Sequence, residues 1–257
     1  MSDKLLIEKK EGVGLITVNR PEARNALDAE SFRGLLDAFE ALDADDEVRV
    51  IIVTGAGEKS FVSGADVRML KERGGAETFR AFNSRAFQRI ENICKPTIAA
   101  INGYAFGGGL ELAMACDLRL CSSTAKLGQT ELNLGFLPGA GGTQRLTRLV
   151  GLARAKELIF TGRVVLPDEA LRIGLVNEVV APNELMARAF DLASAIARKS
   201  PFILGLAKLA VNRGQDCSLD VGLALERLGQ TAAFGTEDHL EGIDAFLEKR
   251  PANFKGR

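Results

Sequence analysis

The first residues of the chain alternate between apolar and polar positions, and the pattern then changes to apolar residues spaced three and four apart. Leu5–Lys10 and Val13–Asn19 flank Glu11-Gly12, a turn-forming pair, and together they predict a β-hairpin. Asp28 is then placed to cap a helix. The apolar residues of this helix share one face: Phe32, Leu35, Leu36, Phe39 and Leu42.

Extended and helical patterns continue to alternate through the middle of the chain. Val48–Thr54 is a nearly continuous β-branched run, as expected of a strand buried on both faces. A second amphipathic helix is predicted from Phe79, Phe82, Ala86, Ile90 and Ile93. The next segments are predicted as a buried strand, a loop, a helix and an extended stretch: Thr97–Ile101, Asn102–Gly109, Leu110–Cys116 and Asp117–Cys121. This alternation indicates βα crossovers and an α/β fold.

Beyond about residue 143 the pattern is mainly helical. Asp168 is placed to cap a helix over residues 169–173 that Gly174 ends, and a strand over 175–180 follows. Pro182 is expected to start a helix that runs to about Lys199. Helical patterns at about 202–213, 219–234 and 237–249 complete the chain. We place a boundary near residue 200, between an α/β core (residues 1–200) and a helical C-terminal region (residues 201–257).

Composition narrows the class of protein. Of 257 residues, 46% are hydrophobic and 26% charged, as in packed globular proteins. The net charge is −1, so no basic excess points to a nucleic-acid partner. The N-terminus lacks an apolar signal segment, and the apolar stretch Thr97–Cys116 is broken by Asn102 and Glu111. We therefore expect no membrane span and a cytoplasmic location.

The residues available for chemistry are few. The cysteines form no CxxC pair and His239 is the single histidine, so we expect free thiols, no metal site and no Ser-His-Asp triad. The glycine-rich loops match neither the Walker nor the dinucleotide pattern, and no nucleophile elbow is present. The chemistry is therefore expected to rely on carboxylates and backbone groups.

Gly107-Gly108-Gly109 leads into the helix predicted to begin at Leu110, and Glu111 lies in its first turn. Glycines let a backbone approach a ligand closely, and the first N–H groups of a helix suit an anion. The helix dipole favours a charged carboxylate, so we expect Glu111 to be ionised near neutral pH, as a general base requires. The alternative is a mere N-terminal helix charge, with glycines that serve close helix packing.

A second candidate carboxylate is Glu131, which lies among apolar residues shortly before the glycine-rich stretch 138–142. Partial loss of water around a carboxyl group raises its pKa and suits a proton donor. A capping or surface glutamate is the alternative.

Seven motifs together resemble the crotonase, or enoyl-CoA hydratase, family. In chain order they are Asn19-Arg20-Pro21, Asn25-Ala26-Leu27, Phe61–Asp66, Asn102–Asp117, Leu127–Glu131, Leu137–Arg145 and the tail Phe246–Lys255. They occur in the family's order and cover essentially the whole chain. The resemblance implies an α/β fold, a spiral of ββα units with a helical C-terminal trimerisation region.

The same resemblance implies a CoA thioester as substrate, without metal or separate cofactor. The backbone N–H groups of Ala65 and Gly108 are expected to hold the thioester oxygen. Hydratases of the family carry glutamates at the positions of Glu111 and Glu131, whereas many isomerases keep only the second. Having both favours hydration of a trans-2-enoyl-CoA to a 3-hydroxyacyl-CoA. In that reaction Glu111 would activate the water, and Glu131 would supply the proton to C2.

Contacts with CoA are also implied by the resemblance. The segment expected to lie along CoA consists of Ala65, Asp66, Val67 and Arg68, and Arg68 could reach a phosphate. Phe246 and Lys249 match tail positions that reach a neighbouring subunit's CoA. Some relatives carry a lysine where this chain has Glu22, which leaves Arg24 as the candidate substitute. A solvated surface charge is the alternative for the three basic residues.

Other functions remain open. Isomerisation of a 3-enoyl-CoA needs only one base and the oxyanion hole. A non-catalytic CoA-binding or RNA-binding module is a further alternative, although the near-neutral charge disfavours RNA. The resemblance implies a homotrimer or a dimer of trimers, with no nucleic acid and no membrane as partner.

Overall fold

Two sheets make up the strand framework of the molecule. A computed structural model describes residues 3–72, 74–75 and 82–257. Within these residues the larger sheet has the order β1 (Leu5–Lys10), β2 (Val13–Val18), β3 (Val50–Gly55), β5 (Thr97–Ile101), β7 (Leu118–Ser122) and β9 (Glu178–Val180). The smaller sheet consists of β4 (Ser60–Val62), β6 (Tyr104–Phe106) and β8 (Lys126–Gly128). The β1–β2 hairpin is antiparallel as predicted, and the other strand pairs are parallel.

Helices cover this framework and form the C-terminal region. In the described residues they are α1 (Ala29–Asp43), α2 (Val67–Glu72), α3 (Phe82–Glu91), α4 (Gly108–Ala115), α5 (Gly142–Val150), α6 (Leu152–Thr161), α7 (Pro167–Arg172), α8 (Leu185–Ala197), α9 (Pro201–Gly214), α10 (Leu219–Phe234) and α11 (Glu237–Leu247). Short 3-10 turns lie at Pro21–Ala23, Glu131–Leu134 and Pro182–Glu184. The cap predicted at Asp28 is confirmed, because its side chain accepts a hydrogen bond from the Ser31 N–H.

From β3 to β9, consecutive strands belong to different sheets. β3, β5 and β7 lie side by side in the larger sheet, and the strand that follows each of them lies in the smaller one. A helix follows β4 and β6, which gives the predicted ββα order. This arrangement stacks the carboxyl ends of β4, β6 and β8 along one edge, because all three run parallel.

The residues 50–53 of β3 are continuously apolar because both faces of this strand are buried. Ile51 and Val53 belong to the main core, whereas Val50 and Ile52 point to the opposite face. There they join a second cluster with Leu185, Ala189 and Ala193 of α8. Because side chains alternate between the two faces of a strand, covering both faces requires apolar residues at successive positions.

Some elements differ from their predictions. Asn102–Gly109 is not a loop throughout: it holds β6, and α4 begins at Gly108. β4 and β8 were not predicted, since strands of three residues are too short to show a period. The predicted strand 175–180 is shorter, at Glu178–Val180.

The caps and starts of two helices also differ. Asp168 does not cap α7: Leu166 occupies that position, because Pro167, whose fixed φ suits the first helical position, starts the helix. Pro182 starts a 3-10 turn, and α8 follows it. Phe79, assigned to the second amphipathic helix, lies outside the described residues.

A largely buried ion pair joins α9, the first C-terminal helix, to the core. Lys208 Nζ of α9 lies 2.8 Å from Asp117 Oδ2, in the connection between α4 and β7. The same carboxylate oxygen accepts hydrogen bonds from the backbone N–H and the hydroxyl of Thr97 in β5. Lys208 also donates to the Lys95 carbonyl oxygen. The boundary near residue 200 stays a prediction.

Candidate active site

Two backbone N–H groups lie side by side at the carboxyl ends of β4 and β6. A β-carbon at Gly108 would lie 3.6 Å from the Ala65 nitrogen. The loop that carries Ala65 is held by Leu27, which donates to the Gly64 carbonyl and accepts from the Asp66 N–H. Within the described residues neither the Ala65 nor the Gly108 N–H donates a hydrogen bond. Two such donors form a site for an oxygen that gains negative charge.

The three glycines before Glu111 have different structural reasons. Gly107 has a φ of 49°, and a β-carbon there would lie 3.0 Å from Glu131 Oε1. Gly108 borders the N–H pair. At Gly109 a β-carbon would overlap the carbonyl oxygen of Val62, so this glycine serves close packing of α4 on β4. The packing interpretation therefore holds for Gly109, while Gly107 and Gly108 border the cavity.

Glu111 lies in the first turn of α4 and is buried, 3% exposed. Its Oε1 accepts hydrogen bonds from the Ala140 N–H (2.8 Å) and the Gly142 N–H (2.7 Å). Oε2 has no donor within the part of the chain that the structure describes, so it is free to accept from water. The two amides fix the carboxylate plane and leave one oxygen for a ligand.

The pKa of Glu111 shifts in the direction opposite to the one that the helix dipole favours. Burial raises the pKa of Glu111 above its ordinary value. The N–H groups of Gly142 and Ala140 and the charge of Arg145 lower this pKa, but by less than burial raises it. The helix dipole alone therefore predicts the wrong direction, because the loss of water around a carboxylate outweighs it here.

Glu131 begins the 3-10 turn that follows β8, and it too is buried. Burial first, and then the charge of nearby Glu111, raise the pKa of Glu131 from 4.5 to about 7. The direction predicted from its apolar sequence neighbours is confirmed. The result is a carboxyl group that holds its proton close to neutral pH beside a second carboxylate, a pairing suited to acid and base chemistry.

Gln129 is a buried polar residue of the site that the sequence did not single out. Its amide lies 3.1 Å from both oxygens of Glu131, and with the amide nitrogen on that side it donates to both. An amide so placed restrains the Glu131 carboxyl group. Its only signal in the sequence was its position, two residues before Glu131.

Both glutamates and both N–H groups border one cavity of about 470 Å³. Its walls are mainly apolar, and Phe32, Leu134, Phe136 and Leu137 contribute to them. A cavity of this kind suits an apolar ligand that carries a polar group to be placed at the N–H pair.

The residues expected to contact CoA are only partly together. Val67 borders the cavity beside Ala65, and Asp66 accepts a hydrogen bond from the Arg68 N–H. The residues that do not border it in this chain are Asp66, Arg68, Arg24, Phe246 and Lys249. The carbonyl of Arg24 accepts from the Ser63 N–H, next to the Ala65 loop. Phe246 and Lys249 lie at the end of α11, and the Phe246 side chain is 82% exposed.

The described residues contain no cluster of three or more side chains arranged to hold a metal ion. None of the helices described is both long and apolar enough to cross a bilayer. The four cysteines are free thiols, as expected.

Comparison with known proteins adds to this geometry. Residues 8–257 match the family model described as enoyl-CoA hydratase/isomerase. A short-chain-enoyl-CoA hydratase from Clostridium acetobutylicum is 46% identical over 99% of both chains. The chain belongs to the enoyl-CoA hydratase/isomerase family. A crotonyl-CoA hydratase from Syntrophomonas wolfei is 44% identical over 98% of both chains.

The family fold is confirmed as well. The crystal structure of an enoyl-CoA hydratase from Bacillus anthracis matches with a TM-score of 0.95 at 38% identity, over 99% of this chain and 100% of that one. The chain therefore has the crotonase-type α/β fold that its motifs predict.

Proposed function

We propose that this chain is an enoyl-CoA hydratase, which adds water reversibly to a trans-2-enoyl-CoA to give a 3-hydroxyacyl-CoA. The observation that carries the proposal is that two buried glutamates and two backbone N–H groups, which donate to no other described residue, border one mainly apolar cavity. The names of the relatives from C. acetobutylicum and S. wolfei support the same reaction.

In this proposal the thioester oxygen accepts hydrogen bonds from the Ala65 and Gly108 N–H groups. Glu111, held through Oε1, orients a water molecule with Oε2 and takes its proton as the water oxygen bonds to C3. The electrons of the C2–C3 double bond move onto the thioester as an enolate. Glu131, whose pKa of about 7 keeps it largely protonated below that pH, delivers its proton to C2. One backbone donor to such an oxyanion contributes about 2.7–4 kcal/mol.

The proposal extends to the rest of the substrate and to the assembly. CoA would lie along Ala65 to Arg68, with Arg24 as a further contact. Phe246 and Lys249 would meet the CoA of a neighbouring subunit in a homotrimer or a dimer of trimers. The exposure of the Phe246 side chain supports a role between subunits. No cofactor beyond the CoA of the substrate is proposed, and the location proposed is the cytoplasm.

The test is loss of the ultraviolet absorbance of the enoyl thioester when the protein meets crotonyl-CoA. We expect rapid loss with the native chain. Glu111→Gln and Glu131→Gln should each slow it by about 10²–10⁴-fold, because each removes one proton transfer. Acyl-CoA binding, measured by calorimetry, should be retained in both variants.

The outcomes separate the alternatives. Near-native turnover in either variant would contradict the assigned roles. Binding without hydration, together with turnover of a 3-enoyl-CoA, would favour the isomerase. Salt-dependent RNA binding without hydration would favour a binding module.

A further inference from the structure

A partly buried arginine lies behind the turn that holds Glu111. Arg145 lies on α5, and its side chain is 11% exposed. Its Nε and one terminal nitrogen donate to the two oxygens of Glu91, at 3.1 and 2.7 Å. The remaining terminal nitrogen donates to the Ala140 carbonyl oxygen at 3.0 Å. The guanidinium therefore bridges the last residue of α3 and the turn 138–142.

That turn is the one whose amides hold Glu111. The Ala140 carbonyl oxygen accepts a hydrogen bond from Arg145, and the Ala140 N–H donates one to Glu111 Oε1. Gly141 has a φ of 108°, and a β-carbon there would overlap the Arg145 guanidinium. The guanidinium is thus packed directly against the turn, and the turn directly against the carboxylate.

We propose that Arg145, fixed by Glu91, is a positioning residue for Glu111, which it acts on through the Ala140–Gly142 turn and through its charge. This inference rests on the proposed hydratase function. Arg145 does not border the cavity, so it acts through Glu111 and not on the substrate. Among the described residues, the charged groups that act on Glu111 are Arg145 and Glu131, with Glu91 behind the arginine.

The test uses Arg145→Gln with Arg145→Lys, Glu91→Gln and the control Arg148→Gln. Arg148 lies on the same helix in an exposed pair with Asp216. We expect Arg145→Gln to lower kcat by about 10²-fold, because a small displacement of a catalytic group costs about that much. Its acyl-CoA affinity should stay within about threefold of the native value, since binding does not use Arg145.

The pH profile distinguishes this role from a structural one. Loss of the guanidinium charge raises the pKa of Glu111 further, so the acidic limb of kcat/KM should move to higher pH in Arg145→Gln. Arg145→Lys keeps the positive charge but loses the planar guanidinium with its paired donors. Its acidic limb should therefore lie near the native pH, while kcat should recover only in part. Glu91→Gln keeps the arginine charge, so kcat should fall with little movement of the limb. Arg148→Gln should match the native enzyme in both.

Several results would overturn the inference. They are an unchanged kcat in Arg145→Gln, or a lowered kcat with an acidic limb that does not move. If Arg145→Gln fails to fold, Glu91→Gln decides, and native kcat in that variant counts against the role. A native chain that does not hydrate crotonyl-CoA contradicts the proposed function instead, so the two failures are distinguishable.

Discussion

At the scale of single residues, a methyl group added at Gly108 should lower activity, whereas one added at the adjacent Gly109 should lower stability. Gly108→Ala places the methyl at an ordinary contact distance from Ala65, so stability should stay within about 1 kcal/mol. The methyl stands over the N–H pair, and kcat for crotonyl-CoA should fall by about 10²–10³-fold. Thermal unfolding and steady-state kinetics measure both effects.

Gly109→Ala is the matched comparison. Its β-carbon overlaps the Val62 carbonyl oxygen, which belongs to a strand and cannot turn aside as a side chain could. We expect a loss of about 3 kcal/mol in the free energy of unfolding. Equal stability of the two variants, or a fully active Gly108→Ala, would contradict the division between packing glycine and site glycine.

How far the sequence predicted the site depended on whether a residue carries its role in its own type. The neighbours of Glu111 and Glu131 made them candidates, the family motifs selected them over a helix or surface charge, and the structure brings them to one cavity. The two amides on Glu111 Oε1 come from residues 29 and 31 positions away, and nothing in the type of those residues identified them as its donors. The helix dipole, which the sequence shows, lowers the pKa of Glu111, whereas burial, which depends on the completed fold, raises it by more.

At the scale of elements, the ion pair between Lys208 of α9 and Asp117, which lies between α4 and β7, should contribute more to stability than exposed ion pairs do. Lys208→Met keeps the length of the side chain but leaves the Asp117 carboxylate without its cation. We expect a loss of about 3 kcal/mol in chemical unfolding, because removing one partner of a shielded pair exposes the cost of the other. Arg188→Met, in the exposed pair with Glu178, should cost much less, because water screens an exposed ion pair. Similar losses of unfolding free energy in both variants would contradict a stabilising role of Lys208 between α9 and the core.

Element prediction succeeded where a period had room to repeat. The helix α1 and the C-terminal helices α9 to α11 were found near their observed bounds, because each repeats its apolar face over several turns. The smaller sheet escaped prediction, since its strands are only three residues long and owe their pairing to distant segments. The failure at Asp168 has a local cause, because Pro167 competes for the start of α7.

At the scale of the whole molecule, the buried acid that suits the reaction should lower stability near neutral pH. The pKa of Glu131 is 4.5 in an exposed chain and about 7 in the fold. Between these values the folded state keeps a proton that the unfolded state has lost. Stability therefore falls as pH rises from about 4.5 to 7, and the full cost of about 3 kcal/mol remains above that range.

Glu131→Gln removes this cost because its side chain carries no charge at any of these pH values. The variant should gain little at about pH 4.5 and should exceed the native protein by about 3 kcal/mol near pH 8, as measured by denaturant unfolding across that range. The same variant should lose hydration of crotonyl-CoA. A gain in stability with a loss of activity is expected where an active site keeps a destabilising group for its chemistry. A stability difference that does not change with pH would contradict the raised pKa, and with it the supply of a proton from Glu131.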